Sequence, residues 1–142
     1  MSGPGTPPQR VETRFGVTAD AHLVGRAGPE NRAHVERFTE AMRTWRPDFV
    51  IDLGDILYHC GEPREEHIQE LRRHWALYCS AGCAAYAVLG NHDADWLRQC
   101  SEAGPGPSWQ AYHEATGMPG RFYSFDVGRL HVIVLDGNAP RP

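Results

Sequence analysis

Three short stretches hold most of the residues able to do chemistry: Asp20-Ala21-His22, Gly54-Asp55 and Gly90-Asn91-His92-Asp93. Their donors are carboxylate, imidazole and amide oxygen. Such hard-to-borderline ligands suit divalent manganese, iron or zinc, and not a soft thiolate site. One carboxylate, such as that of Asp55, can bridge two ions through its two oxygens. Two ions held about 3.5–4 Å apart can generate a hydroxide and clamp a phosphoryl group for in-line displacement. A plainer reading makes Asp20 a turn cap, His22 a surface imidazole and Asp55 a cap of the turn that follows. It loses ground because three such groups recur along one chain.

These donors can meet only if the chain brings their segments to one place. "RFGVTA" (14–19), "DFVIDL" (48–53) and "AAYAVL" (84–89) read as strands. All are short and apolar on both faces, as expected of parallel strands covered by helices on both sides. Between the first two, Val35, Phe38, Met42 and Trp45 recur at helical spacing with Ala41 filling in, and Glu36, Arg37, Glu40 and Arg43 take the wet face. Pro47 ends that helix. A second helix is expected to open near Pro63, carry Ile68, Leu71, Trp75 and Tyr78 as its stripe, and close at Gly82. Strand, helix, strand, helix, strand predicts an α/β sheet with right-handed crossovers. In such sheets the ligand crevice lies at the carboxyl ends of the strands, which is where each motif falls. Alternation puts Asp20 and His22 on one side, and Gly54 and Gly90 let the backbone bend close to the site. Further on, 101–108 reads as a loop, 109–116 as a short helix, and "RFYSFD" and "RLHVIVLD" as a hairpin around Val127-Gly128.

D-x-H, then G-D, then G-N-H-D, on successive strand ends, resembles the calcineurin-like metallophosphoesterase family. The hairpin "FYSFDVGRLHVIVLD" is similar to that family's stretch after the third motif, so the likeness covers about residues 13–137. It implies an α/β fold: a metallophosphoesterase-like β-sandwich flanked by helices, represented here by its first half, three parallel βα units plus a β-hairpin. It also implies a dinuclear centre of two divalent metal ions, Mn, Fe or Zn. Asp20 and His22 would bind the first ion, Asp55 would bridge both, and Asn91 would bind the second. His92 would face the substrate, stabilising phosphoryl charge or protonating the leaving oxygen, and Asp93 would orient His92. The implied activity is metal-dependent hydrolysis of a small phosphorylated substrate, a phosphomonoester or a phosphodiester such as a cyclic nucleotide. Arg26, in the loop after the first motif, is a candidate phosphate contact. Tyr58 matches a metal-binding tyrosine of the purple acid phosphatase branch, but that branch lacks the equivalent of His22, so Tyr58 is read as a wall residue. His59 beside it is a candidate pocket lining. The family's later G-H and G-H-x-H motifs, which supply three further histidines, are absent from this sequence. The domain is therefore read as 13–142, truncated at its C-terminal side, after a disordered lead-in over 1–12. A completing chain or a second copy is the partner this implies. The alternative is a non-catalytic remnant or subunit that binds a partner through an open sheet edge.

Composition narrows the field further. Net charge is −4 over 142 residues, and all 14 basic residues are arginines spread along the chain. A broad electrostatic grip on nucleic acid is therefore not expected. No window is apolar enough to span a bilayer, and "MSGPGTPPQR" lacks the apolar centre of a secretory signal. Cys60, Cys79, Cys83 and Cys100 form no CxxC pair, so reduced thiols in the cytoplasm are expected. A phosphotransferase with an aspartate nucleophile would want D-x-D after the first strand, where position 22 is His. Asp52 and Asp95 are read as local caps or loop carboxylates, His131 as a packing residue, His113 as a helix residue, and His34, His67 and His74 as helix residues facing water.

Overall fold

A computed structural model describes residues 12–24, 28–58, 64–93 and 109–137. The sites expected at Arg26, His59 and Asp95, the 1–12 lead-in except Glu12, and Pro63 lie outside these residues. In chain order the elements are β1 (Phe15–Thr18), α1 (Gly28–Trp45), β2 (Phe49–Asp52), α2 (Arg64–Cys79), β3 (Ala84–Ala87), α3 (Trp109–Thr116), β4 (Tyr123–Val127) and β5 (Leu130–Val134). The protein has a mixed α/β architecture. One sheet is parallel with order β1-β2-β3, and the other is an antiparallel hairpin of β4 and β5. The parallel strands pair in step, with Thr18 opposite Asp52 and Asp52 opposite Ala87. Their carboxyl ends are thus level, and the three motifs leave the sheet from one edge.

Among the described residues the helices lie on one face of the parallel sheet, not on both. With strand order 1-2-3 the two crossovers step the same way, and equal handedness puts α1 and α2 on the same side. α1 packs on α2 and α2 on α3. Their core joins Val35, Leu71, Trp75, Tyr78 and Tyr112 to Leu23, Ile56, Leu57, Ala87 and Leu89 of the sheet tips. The hairpin covers the other face, where Phe49, Ile51 and Val134 are buried beside Tyr86, Phe125 and Val132. Phe125 stacks on Tyr86 with centroids 3.5 Å apart, and the Tyr123 hydroxyl donates to Ala87 O at 2.7 Å. Apolar character on both faces of β2 was a sound reading of burial, but it did not tell helix cover from strand cover. Phe15, Val17 and Leu53, beside the hairpin, stay exposed.

α2 buries its whole expected stripe, and α1 buries only part of its own: Val35 is covered, Phe38 and Met42 are half-buried, and Ala41 and Trp45 are exposed. In the last turn Met42 lies against Gly16 of β1, where an added Cβ would come within 2.6 Å of its sulfur, while Trp45 faces outward with the Arg14 guanidinium 5.9 Å from its ring. The end of α1 is a left-handed cap made without glycine: Arg46 sits at φ 54, its N–H bonded to Met42 O at 2.8 Å, just before Pro47. The hairpin turn is one residue later than expected. Val127 pairs with Leu130, leaving Gly128 and Arg129 as the turn, with Gly128 at φ 59. A positive φ at the first turn position alone is the type II′ pattern, which calls for glycine there.

Three histidine readings need correction. His67 and His74, expected to face water, are 2 % and 3 % exposed on α2. Histidine's intermediate polarity gives no sequence signal for which side of a helix it takes. His131 is exposed rather than packed, and its Nδ1 meets Asp126 Oδ1 at 2.7 Å across the hairpin. No helix among the described residues is long and apolar enough to cross a membrane.

Candidate metal centre

Beyond the strands, the loops after β1 and β2 continue side by side. Leu53 N–H donates to Thr18 O, Asp20 N–H to Gly54 O, His22 N–H to Asp55 O and Leu23 N–H to Ile56 O, all at 2.8–3.0 Å. This ladder fixes where His22 and Asp55 stand. It also holds Asp20, His22 and Asp55 at φ 55, 46 and 59. Residues with a Cβ rarely adopt that region, and each costs about 1–3 kcal/mol. Apart from Arg46 at its helix cap, every non-glycine positive φ among the described residues lies in these motifs.

The glycines serve contact between the motifs. A Cβ on Gly54, at φ 108, would lie 2.6 Å from Gly90 Cα, and one on Gly90 would lie 2.1 Å from Asp55 N. Only two bare glycines let the second and third motifs touch. Through that contact Asp55 Oδ1 accepts the His92 N–H at 2.8 Å. Its other oxygen, Oδ2, is turned to His22 Nε2, 3.7 Å away.

His22, Asp55 and His92 thus converge, with ligand atoms all within 4.8 Å of one another. The two imidazole rings stand 5.3 Å apart at 82°. His22 Nε2 and His92 Nδ1 are buried without hydrogen-bond partners. A buried, unpartnered His22 Nε2 beside the Asp55 carboxylate fits a cation that would take its lone pair, and the unpartnered His92 nitrogen stands in the same cluster. The donor set therefore suits a divalent metal. Tyr58, exposed, walls the site, its ring 4.5 Å from that of His92 and 5.3 Å from that of His22.

Asp20 stands outside this trio. Its exposed residue lines a small recess with Asn31 and His34 between the β1 tip and α1. Asn91 is half-buried next to Gly90.

Asp93 departs from its expected use. Fully buried, it takes the N–H of Asp55 at 2.8 Å and of Gly90 at 3.2 Å on Oδ2, and of Leu57 at 3.2 Å on Oδ1. It orders the backbone of two motifs, while His92 Nδ1 goes without a partner. A carboxylate reads in sequence as a partner for the neighbouring imidazole; here the unpaired amides of the tight turn claim it first. Burial pushes its carboxyl up to about 8, against the lowering pull of the Leu57 N–H and with the charges of Asp52 and Asp55 adding to the rise. His67 Nε2 lies 3.3 Å from Asp93 O, which ties α2 to this turn.

Asp52 was expected as a local cap and does cap: its Oδ1 accepts Gly54 N–H at 2.9 Å. It is also completely buried and accepts the Thr18 hydroxyl at 2.6 Å. The Asp-x-Gly spacing signals the turn; nothing in the sequence signals the bond to Thr18.

Imidazole and carboxylate donors gathered beyond the level carboxyl ends of parallel strands make a candidate metal site in an α/β fold, where such folds place their ligand crevice. The chain belongs to the calcineurin-like phosphoesterase family, whose profile matches residues 13–138, spanning every element described above. No curated protein matches the sequence. Family membership implies a metal-dependent phosphoester hydrolase.

Proposed function

We propose that this protein hydrolyses small phosphate esters with two divalent ions, manganese, iron or zinc, held at the strand tips. The observation that carries this reading is the convergence of His22, Asp55 and His92, with buried unpartnered nitrogens on both histidines. His22 and Asp55 would hold the first ion, with Asp20 as a further ligand. Asp55 would also serve the second ion, with the Asn91 amide oxygen assisting. Bound there, the ions supply a Lewis-acid pull on phosphoryl oxygens and an activated water. His92 faces the phosphoryl group and gives a proton to the leaving oxygen. Tyr58 forms one wall for the leaving group, with His59 and Arg26 as further contacts. Phosphomonoesters and phosphodiesters, cyclic nucleotides among them, are all within this chemistry. A completing chain or second copy adds ligands to the second ion. The free thiols of Cys79 and Cys83 fit the cytoplasm as location.

The test is an aryl phosphate and an aryl phosphodiester with added manganese. Asp55→Ala should abolish hydrolysis and metal binding together. His92→Ala should slow turnover about 10²–10⁴-fold, the usual scale for a lost acid–base group, with metal retained. Absence of both hydrolysis and metal binding in the parent chain would sink the proposal. A second reading, a non-catalytic subunit, has one observation in its favour: the exposed Phe15, Val17 and Leu53 beside the hairpin. Association without metal binding would favour it.

A further inference from the structure

The last residue of β2 lies outside the trio yet ties together the two segments that carry His22 and Asp55. Asp52 presents one carboxylate oxygen to each. Oδ2 takes the hydroxyl of Thr18, the last residue of β1, and Oδ1 takes the N–H of Gly54, the residue before Asp55. One bond falls just before the left-handed residues Asp20 and His22, the other at Gly54, the first of the left-handed pair Gly54 and Asp55. Left-handed residues with a Cβ relax unless their surroundings over-determine them. The bond to Gly54 fixes the Leu53–Gly54 peptide plane, and the two carbonyls that follow it, of Gly54 and Asp55, accept the Asp20 and His22 N–H groups. The bond to Thr18 fixes where the first loop leaves the sheet. With its side chain fully buried, the carboxylate has no water to take its place, so losing it leaves the buried Gly54 N–H unmatched and releases the half-buried Thr18 hydroxyl.

We infer that Asp52 is a positioning residue whose carboxylate clamps the loop after β1 to the turn after β2, and thereby sets the separation of His22 and Asp55 on which cation affinity depends. The inference rests on the proposed metal site and concerns none of its ligands. Asp52 touches neither substrate nor metal; it acts through Thr18 and Gly54.

The test uses the full chain with Asp52→Ala, Asp52→Asn and Thr18→Val. Two quantities are read: manganese affinity by calorimetry, and amide hydrogen exchange of the metal-free chain by NMR. Asp52→Ala should weaken manganese about 10-fold or more, the scale seen when outer partners of metal ligands are lost. Its Gly54, Asp20 and His22 amides should exchange about 10-fold faster, while the Val132 amide in the hairpin keeps its protection. Asp52→Asn should restore affinity to within about 3-fold, since its amide oxygen still accepts from Gly54 and its NH₂ can donate to the Thr18 hydroxyl. A merely structural residue would show no such rescue of affinity at matched stability. A folded Asp52→Ala chain with affinity and exchange within about 2-fold of the parent overturns the inference. So does lost hydrolysis at unchanged affinity. If Asp52→Ala does not fold, Thr18→Val, equal in shape, decides: about 3-fold weaker manganese supports the clamp and parity overturns it. If the parent binds no manganese, the proposed hydrolase falls by itself, and the exchange comparison alone decides whether Asp52 holds the two loops.

Discussion

The two oxygens of Asp55 do different work. Oδ1 is committed to the His92 N–H, and Oδ2 is left facing His22 Nε2. Asp55→Asn keeps the shape and the backbone bond but removes the charge. It should lower manganese affinity by at least about 10-fold, with little change in the metal-free melting temperature, as titration calorimetry and thermal scans can check. Asp52 gives a pH prediction. Burial raises its carboxyl to about 6 from 3.8, against the opposing bonds from Thr18 and Gly54. A raised folded-state value means that the folded chain binds the proton more tightly than the unfolded one. The stabilisation is complete below the unfolded value and is lost as pH climbs through about 6. In the metal-free chain, the melting temperature of the parent relative to Asp52→Asn should therefore fall between about pH 4 and pH 6 and level off above. An unchanged difference across that window would contradict the assignment. Residue types announced this chemistry plainly: a D-x-H, a G-D and a G-N-H-D name donors without any fold. Which donors meet was less legible. Asp20 and His22 are equals in the motif, yet only His22 stands in the trio, because a left-handed loop replaces the strand alternation assumed for them.

At the scale of elements, the motifs work through close backbone approach. Gly90→Ala would push a methyl into the Asp55 backbone, and Gly54→Ala would do the same to Gly90 while straining its φ of 108. Each should destabilise the chain by more than about 2 kcal/mol and weaken metal binding in whatever remains folded, measurable by urea unfolding and calorimetry. The opposite sign is expected at the end of α1. Arg46 holds φ 54 where a helix cap favours glycine. Arg46→Gly should stabilise by about 0.5–1 kcal/mol without touching the site. The elements themselves were legible because their periodicities are strong. α2 kept its Ile68, Leu71, Trp75 and Tyr78 stripe, and α3 matches the expected span of 109–116. The outer end of α1 was less so: the pattern at Ala41 and Trp45 says helix, but whether a neighbour lies beneath depends on the tertiary packing.

Across the whole molecule, cover of the parallel sheet is divided: helices on one face, the β4–β5 hairpin on the other. The hairpin holds on through Phe125 against Tyr86 and Phe49, and through the Tyr123 hydroxyl. Since Phe125 is only half-buried, Phe125→Ala should cost about 2 kcal/mol, below the range for full burial. It should also leave manganese affinity of the folded chain within about 2-fold, because the site lies at the strand tips. The sequence by itself determined the alternation of strands and helices, the hairpin, the family resemblance and the kinds of ligand, since each is written in local spacing or residue type. Only the tertiary structure decided which side the helices take, that His67 and His74 go inside, that Asp93 serves backbone amides and that Asp52 joins two loops. Those outcomes depend on which segments become neighbours once chain connectivity and handedness have closed the sheet, and a hydrogen-bond donor 34 residues away leaves no trace in local pattern.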